Sequence, residues 1–322
     1  MKKISKRIWI VLFLFFGSCR LSNEAISQVS LVEIPVSTKQ YQEFAVLTVE
    51  KTEPVEIPTV KETLTATVIP TLVYEADWRD WPVIPEEISY SMKVLYKEGL
   101  AADNNPHRFS KIGDCQNVPS YFLGRFDREG SYTLRDDQTS LEETIAWYSD
   151  SWSRFPPSVH GGQNIAAVQI KNPLISFDNN GQEECLTTES YLDCELRLWS
   201  PSIALVSFEE LWTGDTTKYS VNYERLIVSL LDKKVVPLLI MTSANEEANE
   251  VIAKLAVRFQ LPVLNLWSGL QMLPGKGIAD GFHLTFYGDT FNFTEDRFSG
   301  WHVRNLVSLQ AIDALRLFLE AP

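Results

Sequence analysis

The chain has 322 residues, 45% of them hydrophobic, and a formal net charge of −13, a composition that supports a large folded core and excludes disorder over the whole length. The acidic balance also argues against a protein that tracks nucleic-acid phosphates, because that affinity rests on clustered Lys and Arg releasing counterions. Nucleic acid is therefore not an expected partner.

The opening stretch "MKKISKRIWIVLFLFFGSC" places Lys2, Lys3, Lys6 and Arg7 ahead of an apolar run from Ile8 to Phe16, then Gly17, Ser18 and Cys19. A charged segment, a short apolar run and small residues form the pattern of an export signal. The run is too short to cross a bilayer as an ordinary helix. "FGSC" resembles the bacterial lipobox, whose cysteine becomes the lipid-bearing first residue of the mature chain, with Phe16 where leucine is usual. The expectation is a signal peptide over 1–19 and a protein anchored by lipid on Cys19 to the outer face of the cell membrane; a plain secretory signal with an incidental Cys19 is the alternative.

Export implies an oxidising compartment in which cysteines are paired or modified. Cys185 and Cys194 flank "LTTESYLD", a separation that a hairpin or compact loop can close, so a disulfide between them is the economical pairing. With Cys19 acylated, Cys115 is the odd cysteine and is flagged as a reactive thiol.

Residues 20–76 are rich in Val, Thr, Glu, Pro and Ser without sustained periodicity, which reads as an extended tether. Alternating Val and Thr also suits the strands of a small accessory unit. The folded domain is expected over 77–322. "PEEISYSMKVLYKEGL" predicts an amphipathic helix with Ile88, Met92, Leu95 and Tyr96 on one face and Gly99 at its end. A strand around Phe109–Ile112 follows, then the turn "GDCQ". A helix from about Leu141 to Tyr148 comes next, with Ser140 and Glu143 at capping-box spacing.

The second half alternates. "SIALVSF", "VVPLLIM" and "PVLNLW" read as buried strands; "YSVNYERLIVSLLDK", "NEEANEVIAKLAVRF" and "VRNLVSLQAIDALRLFL" read as helices. Short apolar strands alternating with helices imply an α/β fold, a parallel sheet covered on both faces. Chemistry in such sheets collects at the carboxyl ends of the strands. Three segments lie there: the GDCQ turn, the loop beginning "EELWTGDT", and the loop carrying "DGFHLT".

Gly113-Asp114-Cys115 early in the domain and Asp280 and His283 late in it resemble the SGNH or GDSL hydrolase family, which carries a Gly-Asp-Ser turn and an Asp-x-x-His pair in that order. The resemblance spans roughly residues 80–320, with "HGGQN" in the place of the family's glycine block and "SPSIALVSF" leading into its third block. It implies a flavodoxin-like three-layer sandwich around a central parallel sheet. It also implies ester hydrolysis with Cys115 as nucleophile in place of serine, His283 as base, Asp280 orienting the imidazole, and backbone N–H groups at Cys115 and at Gly161 or Gly162 receiving the oxyanion. Thiol chemistry is compatible with these roles, because a neighbouring imidazole lowers a cysteine's pKa and the thiolate is a strong nucleophile. The third block reads "EELW", so the family's asparagine is absent and Leu211 or a neighbour stands in its place. Losing one oxyanion donor typically costs on the order of 100- to 1,000-fold in rate.

Three readings stay open at this point. The first is a membrane-tethered, extracellular esterase acting on acyl or acetyl groups of a surface glycan or lipid. The second is a non-catalytic lipoprotein that binds glycan or cell-wall fragments on the same scaffold. The third is an envelope protein whose Cys115 makes an intermolecular disulfide. Taken alone, Cys115 reads as a small core residue, Asp280-Gly281 as turn chemistry, and Glu209 with Glu210 as a solvated loop. Trp78, Trp81, Trp212 and Trp301 suit either a sugar-binding surface or gaps between helices and sheet. No HExxH, paired CxxC, Walker loop or dinucleotide fingerprint occurs, so neither a metal nor a nucleotide cofactor is expected.

Overall fold

The computed structural model describes residues 77–171, 185–209, 214–288, 290–295 and 298–322. The expected signal segment, Cys19, the tether and the third-block residues Glu210, Leu211 and Trp212 lie outside the described residues. The elements in order are α1 (Tyr90–Ala101), β1 (Asn105–Gly113), β2 (Tyr132–Thr133), α2 (Leu141–Trp147), α3 (Tyr191–Trp199), β3 (Pro201–Ser207), α4 (Thr216–Asp232), β4 (Val236–Ile240), α5 (Glu246–Phe259), β5 (Val263–Leu264), α6 (Leu266–Leu270), β6 (Phe291–Asn292) and α7 (Gly300–Glu320).

β1, β3, β4 and β5 form one sheet in that order, and every pairing is parallel. All residues of β3 and β4 are buried, as continuous apolar strands covered on both faces must be. α1 and α7 pack together beside the sheet, as do α4 and α5. The expected α/β fold, a central parallel sheet flanked by helices, is therefore present. β2 and β6 make a separate two-residue parallel pair.

The helices follow their periodicity. α4 buries Tyr219, Tyr223, Leu226, Ile227 and Leu230, the three-and-four spacing of one face, and Asp215 starts it by accepting the Lys218 N–H. Asn245 and Ser299 cap α5 and α7 in the same way. An aromatic cluster fills the space beside β1, with Phe109 and Phe126 both edge-on to the fully buried Trp152. Trp78, Trp81 and Trp301 are buried as well, so these three tryptophans fill gaps and present no sugar-binding surface.

Three local expectations are corrected. α1 begins at Tyr90 behind the Ser89 cap, and Gly99 lies inside it; a Cβ there would come within 2.4 Å of the Lys234 carbonyl, so this glycine permits close packing and does not end the helix. Ser140 has helical backbone angles and makes no capping bond, so its box with Glu143 does not form. "PVLNLW" is a strand only over Val263–Leu264, because Asn265 accepts the Ser268 N–H and starts α6. The expected disulfide Cys185–Cys194 is present, with Cα atoms 5.3 Å apart; Cys194 sits on α3, so of the two expected closures it is the loop, pinned to a helix, and not the hairpin.

Candidate active site

The carboxyl end of β1 is shaped by one glycine and one aspartate. A Cβ on Gly113 would meet the Asn117 amide nitrogen at 2.1 Å and the Ser207 carbonyl at 2.2 Å, so only glycine lets Asn117 fold back across the strand end. There Asn117 Nδ2 donates to the Ser207 carbonyl at 2.9 Å. Asp114 caps the next turn: Oδ1 accepts the Gln116 N–H at 3.0 Å and Oδ2 the Glu209 N–H at 2.7 Å. One carboxylate thus ties the turn after β1 to the end of β3.

Cys115 opens this single turn and is partly buried. Gly161 faces it, since a Cβ built on Gly161 would lie 4.0 Å from the Cys115 Cβ. The segment on both sides of Gly161 is held to the same strand end. Val159 bridges Gly113 in parallel, and Gln163 Nε2 donates to the Gly113 carbonyl at 3.1 Å and the Ser158 carbonyl at 2.8 Å. Gly162 adopts φ +73°, a left-handed conformation that glycine takes without steric cost.

Asp280 and His283 form a compact pair. Nδ1 of His283 lies 2.8 and 3.0 Å from the two Asp280 carboxylate oxygens, and the His283 N–H donates to Oδ1 at 3.2 Å. A carboxylate at Nδ1 places the proton there and leaves Nε2 as the basic nitrogen. Both side chains are well exposed, 44% for His283 and 64% for Asp280, so water screens their mutual attraction.

Gln116 joins this loop to the cysteine turn. Its Nε2 donates to the Phe282 carbonyl at 2.7 Å, and Ser243, just beyond β4, directs Oγ to the same oxygen at 3.3 Å. The residue after Cys115 is thereby bonded to the residue before His283. The cysteine turn, with Gly161 opposite it, and the loop of Asp280 and His283 are thus joined through the Phe282 carbonyl beyond the carboxyl ends of β1 and β4, where such a topology places chemistry.

Beneath the turn lies a polar layer that the sequence reading did not single out. Arg304 of α7 is fully buried. Its Nη1 donates to Gln116 Oε1 at 3.3 Å and Glu209 Oε1 at 3.5 Å; its Nη2 donates to Ser207 Oγ at 2.9 Å and Asn117 Oδ1 at 3.4 Å. Burial pushes the guanidinium down from its ordinary value, while Glu209, Asp114 and Cys115 pull it back up. Glu209 is no solvated loop residue: it is 3% exposed, and Oε2 accepts from the Ser243 N–H at 2.8 Å and from Ser243 Oγ at 3.0 Å. Burial raises its pKa to about 7, against the opposing charge of Arg304. A signal for this layer existed in the chain, for Arg304 falls within the buried face of α7 beside Trp301, Asn305, Ser308 and Ile312, where a charge requires a partner.

An open cleft of about 670 Å³ borders the loop, lined by Glu209, Asn245, Glu246, Glu247, Gly281 and Phe282 among others. Among the described residues no cluster of three or more His, Cys, Asp or Glu is placed to hold a metal ion, and no helix is long and apolar enough to cross a membrane.

No known family's sequence profile matches the chain, and no curated protein matches it. Among solved structures it is similar to a GDSL-like lipase from Bacteroides thetaiotaomicron, at 12% identity over 70% of this chain and 98% of the other, with a TM-score of 0.38. It is also similar to a proposed acylhydrolase from Bacteroides fragilis, at 11% identity over 75% of this chain and 100% of the other, with a TM-score of 0.39. Likeness at this level assigns no activity.

Proposed function

We propose that the protein is an ester hydrolase of the SGNH or GDSL kind that uses Cys115 as nucleophile. The observation that carries the reading is the bond from Gln116 Nε2 to the Phe282 carbonyl, which ties the cysteine turn to a loop whose His283 already has Nδ1 engaged by Asp280. In this reading Nε2 of His283 takes the Cys115 proton, and the thiolate attacks the acyl carbonyl. The alcohol leaves with the proton from His283, giving a thioester on Cys115. Water, deprotonated by the same nitrogen, then releases the acid and restores the thiol. Backbone N–H groups at Cys115 and at Gly161 or Gly162 receive the oxyanion. Export and lipid attachment at Cys19 belong to the same proposal, supported by the basic, apolar and small-residue run of the first residues. They place the substrate outside the cell, an acyl or acetyl ester of a surface glycan or lipid.

The test is hydrolysis of p-nitrophenyl acetate by the purified chain and by Cys115→Ala. Turnover abolished in Cys115→Ala is the expected result, and turnover equal in the two proteins overturns the nucleophile. Alkylation of Cys115 near neutral pH that slows in His283→Ala gives an independent check. The third block lacking asparagine favours a second reading, a glycan- or cell-wall-binding lipoprotein on the same scaffold. Equal affinity of wild type and Cys115→Ala for glycan fragments, with no turnover by either, is its signature.

A further inference from the structure

The hydrogen bonds below the site close into a ring. Arg304 Nη1 donates to Gln116 Oε1, Gln116 Nε2 donates to the Phe282 carbonyl, Ser243 Oγ reaches that same carbonyl, Ser243 is bonded to Glu209, and Glu209 returns to Arg304. The ring spans the cysteine turn, the ends of β3 and β4, the first turns of α7 and the His283 loop. Two members of the ring, Gln116 and Ser243, bond to the loop, and both do so at the Phe282 carbonyl.

Ser243 is the informative member. Its hydroxyl has one proton and two acceptors within reach, Glu209 Oε2 at 3.0 Å and the Phe282 carbonyl at 3.3 Å. We propose that Gln116, Ser243 and the Arg304–Glu209 pair are positioning residues for His283, holding its loop through the Phe282 carbonyl, and that a proton on Glu209 decides whether Ser243 takes part. The inference rests on the hydrolase reading above. When Glu209 is ionised, its charge and shorter distance capture the hydroxyl proton, and Gln116 alone holds the loop. When Glu209 is protonated it donates to Ser243 Oγ, and the hydroxyl turns its own proton to the Phe282 carbonyl. The proton comes from solvent and remains on Glu209 throughout.

The surroundings of Glu209 are consistent with such a change near neutrality. Arg304 from α7 favours the anion, and Asp114 from the β1 turn disfavours it. Tyr219 and Tyr223 from α4 feel the carboxylate, but each donates its hydroxyl to a backbone carbonyl of the β3 strand or its end. Glu246 and Glu247 line the same cleft, and Cys115 couples to Arg304. Burial dominates these influences and brings the titration to about 7.

The experiment follows kcat and KM for p-nitrophenyl acetate from about pH 5 to 9, with detergent-solubilised full chain, in wild type, Ser243→Ala, Ser243→Thr, Glu209→Gln and Gln116→Ala. Ser243→Ala lowers kcat by about 10-fold at pH 6 and hardly at all at pH 8.5, with KM unchanged. Ser243→Thr keeps the hydroxyl and the wild-type profile. Glu209→Gln carries no titrating proton and so removes the pH dependence of the hold, and Gln116→Ala lowers kcat at every pH. A constant ratio of wild type to Ser243→Ala across pH, or wild-type kcat in Gln116→Ala, overturns the inference. If wild type hydrolyses no ester, the hydrolase reading fails, and the ring is tested on the His283 imidazole resonances alone. A Ser243→Ala shift of those signals at pH 6 that vanishes at pH 8.5 supports positioning, and identical spectra overturn it.

Discussion

Replacing Glu209 by glutamine removes a titratable group from the interior while keeping its shape, and its effect on stability against pH can be worked from the structure. Burial raises the folded-state pKa from 4.5 to about 7, so the native protein binds this proton more tightly than the unfolded chain does. The stability due to that proton is fully present below pH 4.5 and is lost as pH rises through 7, because the slope follows the difference in bound protons between the two states. A displacement of that size is worth about 3 kcal/mol. The assay is urea unfolding followed by tryptophan fluorescence at pH 5 and pH 8, comparing wild type with Glu209→Gln. Other groups titrate in this range. His302, which burial pushes down, gains stability with rising pH and acts in the opposite sense, but it is common to both proteins and leaves the difference between them. At pH 5 the wild-type side chain is itself protonated, so Arg304 faces a neutral group in both proteins. Between pH 5 and 8 Glu209→Gln loses about 3 kcal/mol less than wild type. Parallel profiles for the two proteins refute the reasoning, for they would mean that Glu209 has the same pKa folded and unfolded.

Three further outcomes are expected. Lys111, fully buried on β1 with Nζ donating to the Trp152 carbonyl at 2.7 Å, is pushed down to about 7 by burial; wild type therefore gains stability from pH 7 to about 10.5, and Lys111→Met loses that alkaline limb in the same urea assay. Gly113→Ala forces a Cβ into the Asn117 amide and the Ser207 carbonyl, and the overpacking lowers stability by about 3 kcal/mol, read as a drop in thermal midpoint, with an unchanged midpoint ruling out the close approach. Cys194→Ser opens a disulfide that closes a sequence separation of 9 and costs about 3 kcal/mol, an effect that reduction of wild type reproduces and reduction of the variant does not.

The strands and long helices were legible because burial alone decides them. "SIALVSF" and "VVPLLIM" have no polar face to offer solvent, and α4 and α5 repeat apolar residues at helical spacing. The site motifs stood out only by their resemblance to a family pattern; what the structure adds is that Gly113 and Asp114 shape the strand end and that Asp280 and His283, three residues apart, form a local pair. What failed was capping and boundary detail. Ser140 carries a capping side chain that its helical backbone does not use. Asn265 turned a six-residue apolar run into a two-residue strand and a helix because its side chain also donates to the Trp78 and Trp81 carbonyls, contacts more than 180 residues away in the chain.

The polar ring was illegible on stronger grounds. Each member looks ordinary in its own segment: a glutamine after a cysteine, a glutamate after a strand, a serine after a strand, an arginine in a helix. Their meaning lies in convergence, since Gln116, Glu209, Ser243 and Arg304 come from four separate elements and meet only when the sheet closes. A buried arginine and a buried glutamate are each costly alone, and removing one partner leaves the other charge without its counterion. Such a pair is weak as a stability device. Its location is informative for that reason: the Arg304–Glu209 pair is bonded on one side to the turn of Cys115 and on the other to the carbonyl beside His283. A well-packed apolar pair in the same volume would stabilise the domain at least as well, but it would leave Gln116 and Ser243 without the partners that aim them at the loop.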